Sequence, residues 1–360
     1  MHPVASTRCV VSSLALAALA FALAPRAHAQ GCVAIKQMGD ASCTMEGLDG
    51  LDKPTSGKWD IAINYQHFRS HRHFVGDDQQ FQRYAAGSEV INNVDQIDTA
   101  IGYKLNPKTS ITLGIPYFSA TRTSLYEHDR KNRGETSARG IGDIRLTVDR
   151  WLFNPLSEPK GNIAIGLGIK MPTGDSNVKD TFHTTAGDVT RNVDQSIQPG
   201  DGAWGWTFQM QAYHKLGEKT NLYASGFYLV NPKETNGTRT TSSLTSATAY
   251  NSVADQYQAR LGLSRLLMPR YHLTASLGGR LEGVPALDFT GGDRGFRRPG
   301  YVLSVEPGFS FSTGRDSYSL SVPMAVVRNR TRSYSDRLGT GHGDAAFADF
   351  LISMSYAHRW

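Results

Sequence analysis

The connections between candidate β-strands alternate strictly between short and long, and this alternation constrains the fold more than any other feature of the chain. The short connections are residues 106–108, 154–160, 216–219, 268–270 and 313–315. The long connections are residues 67–92, 120–138, 172–201, 231–252, 283–299 and 328–345. A membrane barrel with an even number of strands keeps its short turns on one rim, whereas a soluble sandwich has no reason to do so. The sequence therefore predicts an all-β fold, a transmembrane antiparallel up-and-down β-barrel of about twelve strands.

The candidate strands show the period of two that a sheet with one apolar face requires. In the last segment, residues 349–360, aromatic and aliphatic side chains fall on one parity, and Asp349, Ser353, Ser355 and Arg359 fall on the other. Aromatic residues also cluster at the strand ends, beside both the short turns and the long loops, as in the two aromatic girdles of an outer-membrane barrel. These aromatic residues include Trp59, Tyr103, Trp151, Tyr271 and Trp360 on the turn side, and Tyr65, Tyr117, Trp204 and Tyr301 on the loop side.

The first 29 residues have the three parts of a secretory signal peptide. Arg8 supplies the positive charge, residues 10–24 are apolar, and Ala27-His28-Ala29 is a cleavage site that would leave Gln30 first. After this segment no run approaches the roughly 18 apolar residues of a membrane-spanning helix. An exported chain without such a run reaches a membrane only as a barrel. We therefore expect the outer membrane of a Gram-negative cell, with membrane lipid, lipopolysaccharide and the barrel-assembly machinery as partners.

Residues 30–57 are predicted to form a periplasmic leader, and residues 58–360 the barrel. Cys9 is lost with the signal peptide, so Cys32 and Cys43 are the cysteines of the mature chain. In an oxidising compartment a disulfide between them is expected, and lipidation at Cys32 is the alternative. Removing Arg8 and Arg26 leaves 36 basic and 32 acidic residues, a net charge of about +4. This small excess gives no reason to expect nucleic acid as a partner.

The polar parity of the strands is predicted to face the barrel interior. The charged residues that we expect to line a pore are Asp98, Lys104, Asp143, Arg145, Asp149, Lys170, Arg260, Arg280 and Glu306. Inward glycines and about twelve strands favour a narrow aqueous passage. The facing of residues 222–230 stays open, because the alternation there is weak. If the inward charges instead block the barrel, the protein is a scaffold or adhesin that transports nothing.

Three motifs resemble those of a known family: RGIGDIRL at residues 139–146, KMPTGD at 170–175 and PGDGAW at 199–204. They resemble the outer-membrane transporter family linked to the meta-pathway of phenol degradation, and the resemblance spans most of the mature chain. It implies a porin-like outer-membrane channel for passive uptake of small solutes, aromatic or hydrophobic compounds among them.

Other chemistry is less well supported by the sequence. His67, His71 and His73 could ligate a metal, but interleaved arginines oppose a cation, and no metal or cofactor is expected. Five aspartates in the loop 172–201 lack the spacing of a calcium loop. Basic clusters in the loops at 130–133, 294–298 and 328–337 suit lipopolysaccharide phosphates. A barrel enzyme that modifies lipids is the remaining alternative, but the chain has no G-x-S-x-G or H-E-x-x-H motif, so no enzymatic activity is expected.

Overall fold

The structure, a computed structural model, describes residues 57–240, 248–339 and 341–360. The predicted signal peptide, residues 30–56 of the predicted leader and the predicted Cys32–Cys43 disulfide lie outside the described residues. In chain order the strands are β1 (Trp59–Val75), β2 (Asp78–Gln79), β3 (Ile91–Asn106), β4 (Thr109–Ser124), β5 (Gly134–Ile141), β6 (Arg145–Trp151), β7 (Gly161–Lys170), β8 (Lys179–Thr184), β9 (Gly187–Asn192), β10 (Gly205–Lys215), β11 (Thr220–Val230), β12 (Thr235–Arg239), β13 (Tyr250–Ser252), β14 (Gln256–Met268), β15 (Leu273–Val284), β16 (Gly300–Thr313), β17 (Asp316–Ser321), β18 (Met324–Asn329) and β19 (Ala345–Arg359). Two short helices, α1 (Phe81–Ala85) and α2 (Tyr334–Leu338), lie in connections between strands. Within the described ranges, no helix is both long enough and apolar enough to cross a membrane.

The strands form a closed antiparallel barrel with twelve strand positions, as predicted. The interrupted pairs β5/β6 and β17/β18 each occupy one position. Closure comes from β1 and β19, which pair in a register that runs from Asp60 opposite Arg359 to Phe74 opposite Ala345. The backbone N–H of Trp360 donates to the carbonyl oxygen of Trp59 at 3.1 Å, so both chain segments meet at one rim. We call this rim, where the short turns lie, the turn end, and the opposite rim the loop end.

The outer face of the barrel is apolar, as strand β7 illustrates. Ile163, Ile165 and Leu167 point outward with 40%, 54% and 62% of their surface exposed, whereas Ala164 is fully buried inside. Exposed aliphatic and aromatic side chains recur on the other strands, for example at Phe208. The transfer of apolar surface out of water is favourable by roughly 25 cal/mol per Å². An apolar band of this extent is therefore suited to contact with lipid.

Strand β11, whose facing is open from the sequence, turns Tyr223 and Phe227 inward. Tyr223, Phe227 and Leu229 are buried, and Ala224 and Gly226 stand on the opposite parity. Because the inward side chains here are as apolar as the outward ones, the hydropathy alternation disappears.

Several strands extend farther toward the loop end than predicted. β1 continues to Val75 and β4 to Ser124, whereas the sequence placed loops from residue 67 and from residue 120. Both extensions have polar residues on both faces, such as Arg69 and Ser70 on β1 and Thr121 to Thr123 on β4. A strand that runs beyond the apolar band has no hydropathy contrast, so the period of two cannot reveal it.

Candidate functional site: the barrel interior

The half of the interior near the turn end holds a polar chamber. Most of its lining side chains carry uncharged hydroxyl or amide groups. These residues are Asn64, Gln66, Gln209, Gln211, Ser225, Gln258, Ser276, Ser310, Ser319, Ser321, Ser353 and Ser355. Hydroxyl and amide groups both donate and accept hydrogen bonds, so the chamber can replace water around a small solute.

The charges in this chamber are paired along one wall. Arg260 on β14 donates two hydrogen bonds to Glu306 on β16, of 3.0 and 2.8 Å. Arg280, the register partner of Arg260 on β15, donates from Nε to Glu282 Oε2 at 2.7 Å. Each guanidinium thus has a carboxylate beside it, and the wall combines hydrogen-bonding capacity with little net charge.

The inward glycines make room for neighbouring side chains rather than for the bore. A Cβ on Gly262 or on Gly278 would lie 2.5 Å from the hydroxyl oxygen of Tyr223, because that ring lies across both glycines. On β4, a Cβ on Gly114 would lie 3.1 Å from Nη2 of Arg145. Glycine therefore lets long polar side chains lie flat against the wall.

A second group of charges lies between β3, β6 and β7, nearer to the loop end. Arg145 on β6 reaches over β4 to form an ion pair with Asp98 on β3. Lys170, at the end of β7, pairs with Asp201, and its Nζ lies 3.8 Å from Asp143 Oδ2. This group lines a small cavity.

The nine charged residues predicted to line a pore thus lie in the barrel interior, in two groups. Asp149, Arg260, Arg280 and Glu306 line the polar chamber; Asp143, Arg145 and Lys170 line the second cavity; Asp98 contacts Arg145; and Lys104 is half-buried near the turn end on β3. Whether solutes pass along them stays a prediction.

The long connection between β7 and β10, residues 171–204, folds into the loop half of the barrel, and we call it the plug. Val193 and Ile197 of the plug are fully buried against inward side chains of the wall. The wall residues in this apolar cluster are Phe68, Val94, Phe118, Ala120, Ala138, Ala348 and Leu351. Burying two aliphatic side chains contributes about 1.5–3 kcal/mol each, so the plug is held firmly in the bore. The β8–β9 hairpin of the plug is largely exposed.

Gln198 fixes the shape of the plug from within. Its side-chain oxygen accepts from the backbone N–H of Val178 at 2.9 Å, and its Nε2 donates to the carbonyls of Val178 and Val193 at 3.1 Å each. This buried amide thus satisfies backbone groups of Val178 and Val193 at the base of the β8–β9 hairpin.

The two ends of the plug meet at a junction of three glycines, Gly142, Gly174 and Gly200. A Cβ on Gly174 would lie 2.7 Å from the Cα of Gly200 and 2.9 Å from the Cα of Gly142. Asp143 joins the same contact, because its carboxylate accepts from the backbone N–H of Gly174 and of Asp201, each at 3.0 Å. The three family-like sequence motifs therefore meet here, where the β5/β6 position of the wall is interrupted and the plug is anchored.

The tip of the plug is tied to the wall through Asp194. Arg298, in the connection between β15 and β16, donates two parallel hydrogen bonds of 2.8 Å to this carboxylate. Arg122 on β4 lies 3.5 Å from Asp194 and is itself held by Glu127 at 2.7 Å. Burial alone would raise the pKa of Asp194, but the two guanidinium groups outweigh it and hold that pKa below its usual range.

Above the plug, the loop end opens into a vestibule. Five arginines and two aspartates line it: Arg83, Arg122, Arg297, Arg298, Arg330, Asp336 and Asp344. Arg297 and Arg298 also line a deeper cavity, which shares Asp201 and Gln256 with the cavity at Lys170. The cavities thus follow one another from the loop end toward the middle of the barrel.

The sequence did not reveal Arg122, Asp194 and Arg298 as a group. Arg122 was assigned to a loop because the end of β4 was placed too early, although its even parity with Phe118 and Ala120 marks it as inward. Asp194 was one of five loop aspartates, and Arg298 is 104 residues distant from it in the chain.

The histidines and loop arginines singled out in the sequence have separate partners in the chain. His67, His71 and His73 lie against three different carboxylates, those of Asp95, Asp349 and Asp344. In the described part of the chain, no three His, Cys, Asp or Glu residues are grouped closely enough to hold a metal ion. The expectation that the later arginine clusters face lipopolysaccharide is wrong for Arg297, Arg298, Arg328 and Arg330, which turn inward.

Comparisons with known proteins support the barrel fold. No protein-family model and no curated protein matches the chain in sequence. Among solved structures, an outer membrane channel from Pseudomonas putida F1 aligns with 90% of this chain and 100% of its own, with a TM-score of 0.56 and 15% identity. The monoaromatic hydrocarbon channel CymD aligns with 92% of this chain and 98% of its own, with a TM-score of 0.43 and 10% identity. The translocator domain of the autotransporter NalP from Neisseria meningitidis aligns with 88% and 93%, with a TM-score of 0.44 and 12% identity. At these identities the similarity concerns the fold alone.

Proposed function

We propose that this protein is an outer-membrane β-barrel channel for passive uptake of small solutes, aromatic or hydrophobic compounds among them. The observation that carries the proposal is a closed barrel with an apolar outer band that encloses polar cavities from the loop end to the turn end. The resemblance of the three motifs to an outer-membrane transporter family supports the choice of solutes. The fold shared with an outer membrane channel supports the same class of function.

In this proposal the loop end faces outside the cell and the turn end faces the periplasm, as in outer-membrane barrels generally. The signal peptide directs export, the barrel-assembly machinery inserts the chain, and membrane lipid and lipopolysaccharide surround it. Single cysteines at Asn132 and at Gly217, in a chain without Cys32 and Cys43, test this orientation. An impermeant maleimide should label Asn132→Cys on intact cells and leave Gly217→Cys unlabelled, and the opposite pattern would mean an inverted barrel.

Planar bilayer recording tests the channel itself. Purified protein should give discrete conductance steps, and its mobility on a denaturing gel should change on heating, because a closed barrel resists detergent until heated. A protein boiled before reconstitution is the control and should give no steps. Heat-dependent mobility without any conductance would contradict the channel proposal.

A second candidate is a closed scaffold or adhesin, and the plug is the observation that favours it. Val193 and Ile197 fill the bore on the loop side in the described conformation. Liposome swelling separates the two candidates: a channel admits small polar aromatic solutes faster than control liposomes do, and a scaffold leaves the swelling rate unchanged.

A further inference from the structure

We propose that Arg122 and Arg298 form a recognition site for the carboxylate of a small organic acid, and that the plug residue Asp194 occupies this site until such an acid displaces it. The inference rests on the proposed channel function, because release of Asp194 would free the plug tip. Its first basis is geometric. Arg298 holds both oxygens of Asp194 end-on, at 2.8 Å each, which is the arrangement in which arginine binds a free carboxylate.

The two guanidinium groups stay in place whichever carboxylate lies between them. Glu127 fixes Arg122 through hydrogen bonds to Nε and Nη2, the shorter of 2.7 Å. The guanidinium of Arg298 lies 4.6 Å from the ring centroid of Phe296, close enough for a cation–π contact. A site whose donors are held by other partners does not need to be rebuilt after Asp194 leaves.

The site is reached from the vestibule. Arg122 and Arg298 both line that cavity, together with Phe296 and Tyr126, while Asp194 approaches them from the plug. Each of the five vestibule arginines has a carboxylate partner, and the plug supplies one of these partners, Asp194. Displacement of Asp194 therefore leaves a positive charge that favours an external anion over a cation. The aromatic rings beside the arginines add an apolar surface, so an aromatic carboxylate fits the site better than a small inorganic anion.

Displacement has a direct consequence for the bore. Asp194 also accepts a hydrogen bond from the backbone N–H of Ser196 at 3.0 Å, and so shapes the turn that carries Ile197 into the apolar cluster. When an external carboxylate binds Arg122 and Arg298, the plug keeps its glycine junction but loses the ion pairs of Asp194 with these arginines. The acid that enters would thus loosen the barrier that it has to pass.

The test uses benzoate as the probe, benzyl alcohol as a neutral probe with the same ring, and acetate as a carboxylate without a ring. With wild-type protein in a planar bilayer, benzoate should raise the mean conductance severalfold, acetate less, and benzyl alcohol not at all. Arg133→Gln is the matched control, because Arg133 pairs with Glu89 outside the vestibule lining and its loss should leave the benzoate response unchanged.

Two variants separate the release of Asp194 from the binding of benzoate. Asp194→Asn removes the internal competitor, so the basal conductance should rise and benzoate should bind about tenfold more tightly in calorimetry. Arg298→Gln removes the site, and benzoate should then neither bind nor change the conductance. Heat-dependent gel mobility checks that each variant is folded.

The outcomes distinguish this inference from the channel proposal. If wild-type protein conducts but benzoate and benzyl alcohol act alike, or if benzoate binds Asp194→Asn no more tightly, the inference is overturned and the channel remains. If benzoate binds as expected and no variant conducts, the recognition site stands and the channel proposal fails.

Discussion

The two halves of the barrel interior are filled in different ways, one by side chains of the strands and the other by a separate segment of the chain. In the turn half, side chains of the strands themselves leave a chamber lined by serine, asparagine and glutamine, with ion pairs lying along the wall. In the loop half, a separate segment fills the bore through apolar contacts and one buried carboxylate held by arginines. In the proposed channel, any barrier to permeation would therefore lie in the plug and its anchors.

The largest effect on conductance is expected from deletion of the plug. Gly200 N–H donates to the carbonyl of Asp175 at 2.9 Å, so these residues are close enough for a two-residue Asn-Gly link to replace residues 176–198. The single-channel conductance should rise severalfold, because the loop half then resembles the open turn half. The same link in place of residues 155–158, in the turn between β6 and β7, should leave the conductance as it is. Equal conductance of plug-deleted and wild-type protein would contradict the contrast between the halves.

A smaller effect is expected from weakening one anchor. The Asp143 carboxylate accepts two hydrogen bonds from the plug backbone. A hydrogen bond to a charged group stabilises a fold by about 1.5–3 kcal/mol, and Asp143→Asn removes the charge from both bonds. Brief openings should become roughly tenfold more frequent in bilayer recordings, since 1.4 kcal/mol corresponds to a factor of ten. Asp149→Asn is the matched control, because that carboxylate lies in the chamber wall beside Gln209. If both variants open equally often, the anchor is not specific to the plug.

Charge changes in the turn half should alter selectivity and leave gating alone. Arg260→Gln with Arg280→Gln leaves Glu306 and Glu282 without their guanidinium partners. The reversal potential in a salt gradient should shift toward cation selectivity, with open frequency unchanged. Arg265→Gln, on the exposed face of β14, is the control and should shift nothing. A change in gating instead would show that the two halves are coupled.

The smallest effect is a pH dependence confined to the loop half. Burial would raise the pKa of Asp344, but the hydrogen bond from His73 and the charges of His73 and Arg83 lower it to about 2. The unfolded value is about 3.9, so the contribution of this carboxylate is complete above about pH 5 and is lost as the pH falls toward 2. Openings that depend on this carboxylate should increase near pH 2.5. Asp344→Asn should show the increase already at pH 7.

Asp129 provides the control for that experiment, because its pKa is also lowered to about 2, through hydrogen bonds from the backbone of Asn132 and Lys131. It lies in an exposed turn. Asp129→Asn should therefore keep the pH profile of the wild type, and an altered profile would mean that loop charge in general sets the response.

The sequence was informative where lipid faces the chain. The alternation of apolar and polar residues identified the barrel positions and the inward parity of Asp98, Arg145 and Arg280, because lipid on one side imposes a period of two. The alternation did not identify strand ends or facing where the two sides of a strand have similar polarity. β4 beyond Ala120 and β11 around Phe227 have similar polarity on both faces, and the plug has no period at all. The pairing of Asp194 with Arg298 follows from closure of the barrel, which no local pattern encodes.

The junction of Gly142, Gly174 and Gly200 makes residues 175–199 an interchangeable cassette. Both ends of the segment leave from one point on the wall, so its length does not enter the relation between strand number, tilt and circumference that fixes the barrel. A segment of another length or chemistry could be grafted between these glycines while every strand keeps its register. The barrel interior could thus be given a new filling segment without redesign of the strands.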